Sequence, residues 1–327
     1  MASRAALSPS ASDIRKSLRS PGRRAAFFLM PFALPNVHEC LQAGLRTQVH
    51  LSGAYFDMIF DTHTHYDDEA YDADRDELIS SLPAGGVGKV CNIGASFRGA
   101  CDSLKLAEKY DHVYAAVGIH PDEVEEMNEE KFAALRKMAQ HPKAVAIGEI
   151  GLDYHGYDIY EHKPSKELQH EWFERQLDLA VELDKPVVIH SRNAAADTME
   201  MMQAAHAKGL KDAIIHCYSY SLEQALQYVE MGYYIGFGGV ITYHGQKKVT
   251  KALQGIPFER VVMETDCPYL TPVPYREGTA PGIDFVRNSS LFLPAVRDKI
   301  AELTGHTPEE VERITWENAH RVYRIPM

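Results

Sequence analysis

From Met58 onward, short apolar runs alternate with longer amphipathic segments along the chain. Eight of the runs have the length of buried strands: MIFD (58–61), KVCNIG (89–94), VYAAVGI (113–119), AVAIGEI (144–150), PVVIH (186–190), AIIHC (213–217), YYIGFGG (233–239) and RVVMETD (260–266). Such alternation predicts βα units and a parallel sheet. Eight units within residues 58–327 match a closed (β/α)8 TIM barrel, an α/β fold that typically takes ~250 residues.

The segments between the runs have helical periodicity. In one of them the apolar positions recur at three- and four-residue spacing, at Leu168, Trp172, Phe173, Leu177 and Ala180. Helices are predicted at 74–82, 99–110, 129–140, 165–183, 194–208, 222–231 and roughly 294–304, with a last one beginning after Thr307. Thr307 and Glu310 form a capping-box pattern at that start, with Pro308 at the first helical position.

An open, doubly wound sheet is the alternative architecture. It would carry a phosphate-binding G-x-G-x-x-G after its first strand. Here the first apolar run is followed by Asp-Thr-His-Thr-His at 61–65 instead, which favours the barrel.

Residues 1–57 differ from the remainder. They are rich in Arg, Ser and Ala, and they hold seven Lys and Arg against three Asp and Glu. No strand or helix periodicity runs through them, so we interpret them as a disordered or spurious N-terminal extension, with an organelle transit peptide as the alternative. The working protein is then the barrel of residues 58–327, beginning at Met58.

Charge and cysteine content limit the function classes. The whole chain has a net charge of −12, and an acidic body argues against broad capture of duplex nucleic acid. Five cysteines without paired spacing are typical of a reduced, intracellular protein. No apolar run approaches the ~18 residues of a membrane span. We therefore expect a cytoplasmic protein without a membrane partner, and a monomer.

Metal-ligating side chains occur where the predicted strands end, which is where such barrels carry their chemistry. They are Asp61, His63, His65, Glu149, His190, His216 and Asp266, with His120 following the third strand. One histidine after an apolar run is usually only a polar residue. Four histidines and two carboxylates at the same end of five strands instead predict a divalent-metal site. His63 and His65 are two residues apart in an extended segment, so they face the same way.

At this point a family resemblance is clear. The chain resembles the TatD family of metal-dependent deoxyribonucleases, within the amidohydrolase-like metal barrels, in DTHTH (61–65), GIHP (118–121), AIGEIGLDY (146–154), FERQLDLA (173–180), PVVIHSR (186–192), IIHCYS (214–219), GYYIGFGGVITY (232–243) and METDCPYLTP (263–272). The resemblance implies two divalent ions, the first held by His63, His65, Glu149 and Asp266 and the second by Glu149, His190 and His216. Glu149 would bridge them.

Catalytic roles are expected for Asp266, Glu149 and His120. Asp266 either takes a proton from a metal-activated water or serves as a ligand only. His120 either contacts a substrate phosphate or leaving group, or simply caps its loop. Arg192 either binds substrate phosphate through its planar guanidinium or forms a salt bridge.

Three further side chains near the strand ends have open roles. Asp61 either supports a ligand imidazole or only ends its strand, and Glu264 shares the face of Asp266. Cys217 is expected to be a core residue. After YLTPVPYR the family's Gly-x-Arg-Asn-x-Pro-like run is replaced by EGTAPGIDFVRNSSLFL, so the loop at 276–292 is atypical.

The resulting hypothesis is a deoxyribonuclease of the 3′–5′ exonuclease type, acting on single-stranded DNA or 3′ ends. Alternatives are an esterase or deacylase on the same barrel, such as one acting on D-aminoacyl-tRNA, another amidohydrolase-type activity, and a binding module with a structural metal. Mixed histidine and carboxylate ligands suit Zn²⁺, Mn²⁺, Fe²⁺ or Co²⁺, whereas Mg²⁺ prefers oxygen. The sequence leaves the metal open.

Overall fold

The structure is a computed structural model that describes residues 58–157, 162–276 and 286–327. The extension predicted at 1–57 lies outside the described residues, as do residues 277–285 of the atypical loop. Within the described ranges, no helix is both long and apolar enough to cross a membrane.

Eight parallel strands form one sheet in which each strand pairs with the next along the chain. They are β1 (Ile59–Thr64), β2 (Val87–Ile93), β3 (Val113–Ala116), β4 (Ala144–Asp153), β5 (Val187–Arg192), β6 (Ala213–Ile215), β7 (Tyr234–Phe237) and β8 (Val261–Met263). The segment after β8 joins β1: Thr64 bridges Cys267, the Asp266 N–H donates to the His63 carbonyl at 2.9 Å, and the His65 N–H donates to the Cys267 carbonyl at 2.8 Å. The predicted (β/α)8 barrel is confirmed.

Helices alternate with the strands as expected. Among the described residues they are α1 (Arg75–Ser81), α2 (Phe97–Lys109), α3 (Glu129–Ala139), α4 (Lys166–Glu182), α5 (Ala195–Ala207), α6 (Leu222–Glu230), α7 (Lys247–Gly255), α8 (Leu293–Thr304) and α9 (Pro308–Tyr323). The sequence analysis missed α7. That helix buries only Val249, Ala252 and Leu253, so its apolar pattern is too short to stand out.

Short polar residues start several of the helices. Ser96, Asn128, Ser165 and Ser221 each accept a hydrogen bond from a backbone N–H in the first turn of α2, α3, α4 and α6, respectively. Each cap fixes the point at which a βα loop ends, and these loops surround the carboxyl-terminal end of the sheet. The capping box predicted at the start of α9 is also confirmed, with reciprocal bonds between Thr307 and Glu310.

Alternate residues of the strands pack in two separate layers. In β5, Val188 belongs to the cluster inside the barrel, whereas Val187 and Ile189 pack against the surrounding helices. The last helix covers the amino-terminal end: Trp316 packs near Phe60, and the Tyr323 hydroxyl donates to the Thr62 carbonyl at 2.7 Å. With that end filled by apolar side chains, the opposite end is left for polar chemistry.

Candidate metal centre

The structure brings all six side chains predicted as metal ligands to the carboxyl-terminal end of the sheet. Five of them are buried, and the side chain of His190 is 15% exposed. They come from β1, β4, β5 and the segments that directly follow β6 and β8. Residues up to 203 positions apart thus meet in one place because parallel strands all end on the same side of the barrel.

His63 and His65 lie side by side at the end of β1. Their Nε2 atoms are 3.1 Å apart. The Nδ1–H of His65 donates to the Ile93 carbonyl at 2.9 Å, which leaves its Nε2 lone pair facing the site. Burial, with the nearby charge of His216, lowers the pKa of His63 to about 4, so this imidazole is neutral at neutral pH. Both rings therefore offer lone pairs of the kind that bind divalent metals.

Asp61 fixes the backbone around these two histidines rather than their rings. Its carboxylate accepts hydrogen bonds from the backbone N–H groups of His63 and Thr265, from the Thr265 hydroxyl at 2.7 Å and from the Ser290 hydroxyl at 2.6 Å. Burial raises the pKa of Asp61 to about 7. The side chain thus ties β1 to the segments that follow β8.

Glu149 occupies the middle of the cluster. Its Oε1 is 2.9 Å from Nδ1 of His190, and its Oε2 is 3.7 Å from Nε2 of His63 and 3.8 Å from Nε2 of His65. Burial opposes ionisation, but His120, which becomes charged in the acidic range, and the hydrogen bond with His190 hold the pKa of Glu149 well below its usual range. An ionised carboxylate between two groups of imidazoles has the position required of a bridging ligand.

The imidazoles of His190 and His216 each have a carboxylate behind them. Nε2 of His190 is 3.1 Å from Asp153 Oδ2, so its Nδ1 faces Glu149. Nδ1 of His216 is 3.0 Å from Glu264 Oε1, so its Nε2 faces the centre. The same Glu264 oxygen accepts a hydrogen bond from the backbone N–H of Cys217, at 2.6 Å, so this carboxylate contacts both residues that follow β6.

These carboxylates change the proton affinity of both rings. Burial acts against protonation, yet Asp153 and Glu149 outweigh it and raise the pKa of His190 to about 10. Glu264 does the same for His216, whose pKa rises to about 9. The site therefore attracts positive charge, which protons supply when no metal is present.

Asp266 follows β8 in a left-handed backbone conformation, with φ of 57°. Aspartate tolerates this region better than most residues. Its Oδ1 is 3.2 Å from Nε2 of His65, 3.6 Å from that of His63 and 3.9 Å from that of His216. Burial raises the pKa of Asp266, but the close imidazole of His65 and the charge of His216 lower it more, so the group stays ionised.

The donor set fits divalent metal ions. Among the described residues, four groups of potential ligand atoms converge within 4.8 Å: His63, His65 and Glu149; His63, His216 and Asp266; His120, Glu149 and His190; and His216, Cys217 and Glu264. Imidazole nitrogens and carboxylate oxygens are the ligands that Zn²⁺ and its neighbours favour. These groups differ in one respect from the ligand set predicted for the second ion, which was Glu149, His190 and His216. In the structure, His120 converges with Glu149 and His190, whereas His216 converges with His63 and Asp266.

His120 is oriented by its own loop. Its Nδ1 accepts the backbone N–H of Asp122 at 3.1 Å, so its proton is on Nε2, which lies 4.0 Å from Glu149 Oε1. Burial and the charge of His190 lower the pKa of His120 to about 4. The residue thus presents a neutral N–H donor to the site and does not hold an acidic proton at neutral pH.

Arg192 and Cys217 lie next to this cluster. Arg192 is the last residue of β5 and is half-buried, and its charge acts on the Cys217 thiol. Cys217 is only partly buried rather than the core residue expected, but burial of its thiol raises the pKa well above its ordinary value, which disfavours a thiolate nucleophile.

Sequence reasoning missed Asp153 because β4 was predicted to end at residue 150, whereas it continues to 153. It also missed Lys163, whose side chain is buried beside Asp153. In the atypical loop, the Asn288 amide donates to the carbonyls of Thr265 and Tyr269 at 3.1 and 2.7 Å, so this residue anchors the segment after β8.

The chain is similar over most of its length to proteins of one family. The profile of the family described as TatD related DNase matches residues 60–324. Bacillus subtilis YabD, an uncharacterized metal-dependent hydrolase, is 38% identical over 82% of this chain and 100% of its own length. A protein of Cronobacter sakazakii named 3′–5′ ssDNA/RNA exonuclease TatD is 31% identical over 81% of this chain and 97% of its own. The crystal structure of YjjV, a TatD homologue from Escherichia coli K12, matches with a TM-score of 0.74 at 28% identity, covering 83% of this chain and 100% of that one.

Proposed function

The chain belongs to the TatD-related DNase family of metal-dependent hydrolases, and from this premise we propose that it hydrolyses phosphodiester bonds of DNA as a 3′–5′ exonuclease. Its substrate is single-stranded DNA or a 3′ end. The observation that carries the proposal is the buried set of ionised Glu149 and Asp266 among five imidazoles, because such a set can hold two divalent ions. Zn²⁺, Mn²⁺, Mg²⁺, Fe²⁺ and Co²⁺ are the candidate ions.

The proposed ligands are His63, His65, Glu149, His190, His216 and Asp266. When bound, two ions at such a site lower the pKa of water from about 15.7 towards 7 and neutralise charge on the attacking and leaving oxygens. The contact of Asp266 with His65, at 3.2 Å, supports a dual role in which this carboxylate both orients the site and accepts the proton of the attacking water.

His120 and Arg192 are the proposed substrate contacts. The Nε2–H of His120 donates to a phosphate oxygen and thereby stabilises charge that develops there. Its pKa of about 4 supports a donor role rather than that of a general acid. Arg192, at the end of β5, binds a phosphate through its guanidinium.

We propose further that the protein acts in the cytoplasm as a monomer. All four cysteines among the described residues are free, which supports a reducing compartment. Cell fractionation and light scattering test the two statements separately.

The test of the activity is a substrate panel across metals. Single-stranded oligonucleotides labelled at either end, with free or blocked 3′ termini, are incubated with each candidate ion, beside duplex DNA and an aminoacyl ester such as D-aminoacyl-tRNA. We expect stepwise shortening from free 3′ ends and little from blocked ones. Absence of cleavage with every ion, or faster turnover of the ester, would overturn the nuclease proposal, and the second outcome would favour a deacylase.

A further inference from the structure

Lys163 is a buried lysine in the segment that joins β4 to α4. Its side chain is only 3% exposed. Its Nζ lies 2.8 Å from Asp153 Oδ1 and 3.1 Å from Asp122 Oδ1, and it donates to the His155 carbonyl at 2.6 Å. Burying an ammonium is costly unless carboxylates compensate it, so this arrangement is retained only where both partners stay in place.

The first of these partners leads to His190. Asp153 is fully buried, and its Oδ1 is bound by Lys163 and by the backbone N–H of His155 at 2.8 Å. Because that oxygen is occupied, Oδ2 is the one that faces His190 Nε2, at 3.1 Å. The other ring nitrogen, Nδ1, is then directed at Glu149.

The second partner leads to His120. Asp122 lies in the turn at Pro121–Glu126, and its carboxylate contacts Lys163. The backbone N–H of the same residue donates to Nδ1 of His120, which places the ring proton on Nε2. The rings of His120 and His190 are in edge contact, with centroids 4.3 Å apart. The contacts that run from Lys163 through Asp153 and through Asp122 therefore end at two neighbouring imidazoles.

We propose that Lys163 is a positioning residue for these two imidazoles. Through Asp153 it selects Nδ1 of His190 as the metal-binding atom. Through Asp122 it keeps the Nε2–H of His120 pointing at the site. The inference rests on the metal centre of the proposed function, but not on the substrate.

A purely structural salt bridge would make a different prediction. It would add to the stability of the β4–α4 connection and leave both imidazoles and the metal affinities unchanged. Lys185 provides a control: it is a half-buried lysine that, like Lys163, donates to a backbone carbonyl, that of Ala144 at 2.5 Å, at the start of β4 rather than its end.

The first measurement is zinc affinity by competition with a chelator, in Lys163→Met, Lys163→Arg and Lys185→Met. His190→Ala identifies which of the bound ions depends on this ligand. We expect Lys163→Met to weaken that ion about 10- to 100-fold, the usual effect of removing a partner behind a metal-binding histidine, and to spare the other ion. Lys163→Arg should recover most of the loss because it keeps the charge, and Lys185→Met should bind zinc normally.

The second measurement is the protonation of the ring nitrogens by ¹⁵N NMR of histidine-labelled protein. Wild-type protein should show a protonated, slowly exchanging Nε2 on His120 without metal, and on His190 with zinc. This readout uses the native chain, so it can overturn the inference even if Lys163→Met does not fold. A proton on Nδ1 of His120 in the metal-free protein, or on Nδ1 of His190 with zinc bound, would overturn it, as would unchanged affinities and ring signals in a folded Lys163→Met.

The two proposals fail in different ways. If wild-type protein binds zinc but cleaves no phosphodiester, the proposed function is wrong. The zinc affinities of the Lys163 variants still test the role of Lys163. If wild-type protein binds no metal, the proposed function is wrong, and the ring proton of His120 in the metal-free protein decides the role of Lys163.

Discussion

At the scale of the residue, the orientation of each imidazole follows from the nitrogen that faces away from the centre. His65 contacts a carbonyl there, His190 and His216 contact carboxylates, and His120 contacts a backbone N–H. A carbonyl or carboxylate partner leaves the inner nitrogen free to bind a metal. An N–H partner leaves the inner nitrogen protonated, which is why His120 differs from the other three in what it can do.

Asp266→Asn tests the carboxylate with the strongest claim to proton transfer. The amide keeps the size of the side chain but cannot accept a proton, so we expect kcat on single-stranded DNA to fall about 10²- to 10⁴-fold. Metal content by mass spectrometry shows whether a ligand was lost as well. Asp72→Asn, at an exposed side chain, is the matched control and should be fully active. Full activity in Asp266→Asn would remove this residue from the mechanism.

The pH dependence of metal binding follows from His190 and His216. Their pKa values of about 10 and 9 mean that both rings are protonated at pH 7.5 without metal, whereas a metal needs a free lone pair. Binding should therefore release protons, and the apparent affinity should rise from pH 7 towards pH 9. Calorimetry in buffers of different ionisation enthalpy measures the release. His141→Asn, at a surface histidine, should not change it, and an affinity that falls over this pH range would contradict the assignment.

At the scale of the element, β4 is the strand on which the centre depends most. It supplies Glu149 and Asp153, and it pairs with β5 directly beside His190. Gly151 makes this pairing possible: its φ is 148°, and a Cβ there would lie 1.9 Å from the His190 carbonyl oxygen. A side chain at this position would have to push the two backbones apart.

Gly151→Ala should therefore damage the metal centre more than a positive φ alone would. We expect the free energy of unfolding to fall by more than the ~1–3 kcal/mol that local backbone strain costs, and zinc binding to weaken. Gly86→Ala is the matched control because φ is 85° there and nothing lies within 4 Å of the added Cβ. Equal losses of stability and equal zinc affinities in the two variants would show that contact with β5 is unimportant.

At the scale of the whole molecule, the chain is acidic and its proposed substrate is a polyanion. With a net charge of −12, long-range attraction to DNA is unfavourable, so the positive charge must be local. Bound divalent ions supply it at the centre, where they also replace the protons of His190 and His216. Positive charge confined to the centre favours binding of one DNA strand end there over binding along the length of a duplex.

We propose that residues 58–327 fold and act without residues 1–57. A chain that starts at Met58 contains every side chain of the candidate centre, since the first of them is Asp61. Its melting temperature and zinc affinity should equal those of the full chain, as measured by calorimetry and chelator competition. A truncated protein that loses zinc or unfolds would show that the N-terminal segment contributes to the barrel.

Local sequence patterns were enough to predict the barrel and the residue types of the centre. Burial repeats every two residues in a strand and every three to four in a helix, so eight βα units could be recognised from local patterns. Parallel topology then brings all strand ends to one side, which made His63, Glu149, His190 and Asp266 predictable as neighbours.

The contacts that orient these neighbouring side chains became visible only in the folded structure. Ser290 reaches Asp61 across 229 residues, and Lys163 joins the turn after β3 to the end of β4. The nitrogen that each histidine presents depends on such contacts. A hydrogen bond between distant residues leaves no periodic pattern in the sequence around either residue. It requires only that folding bring a donor within about 3 Å of an acceptor.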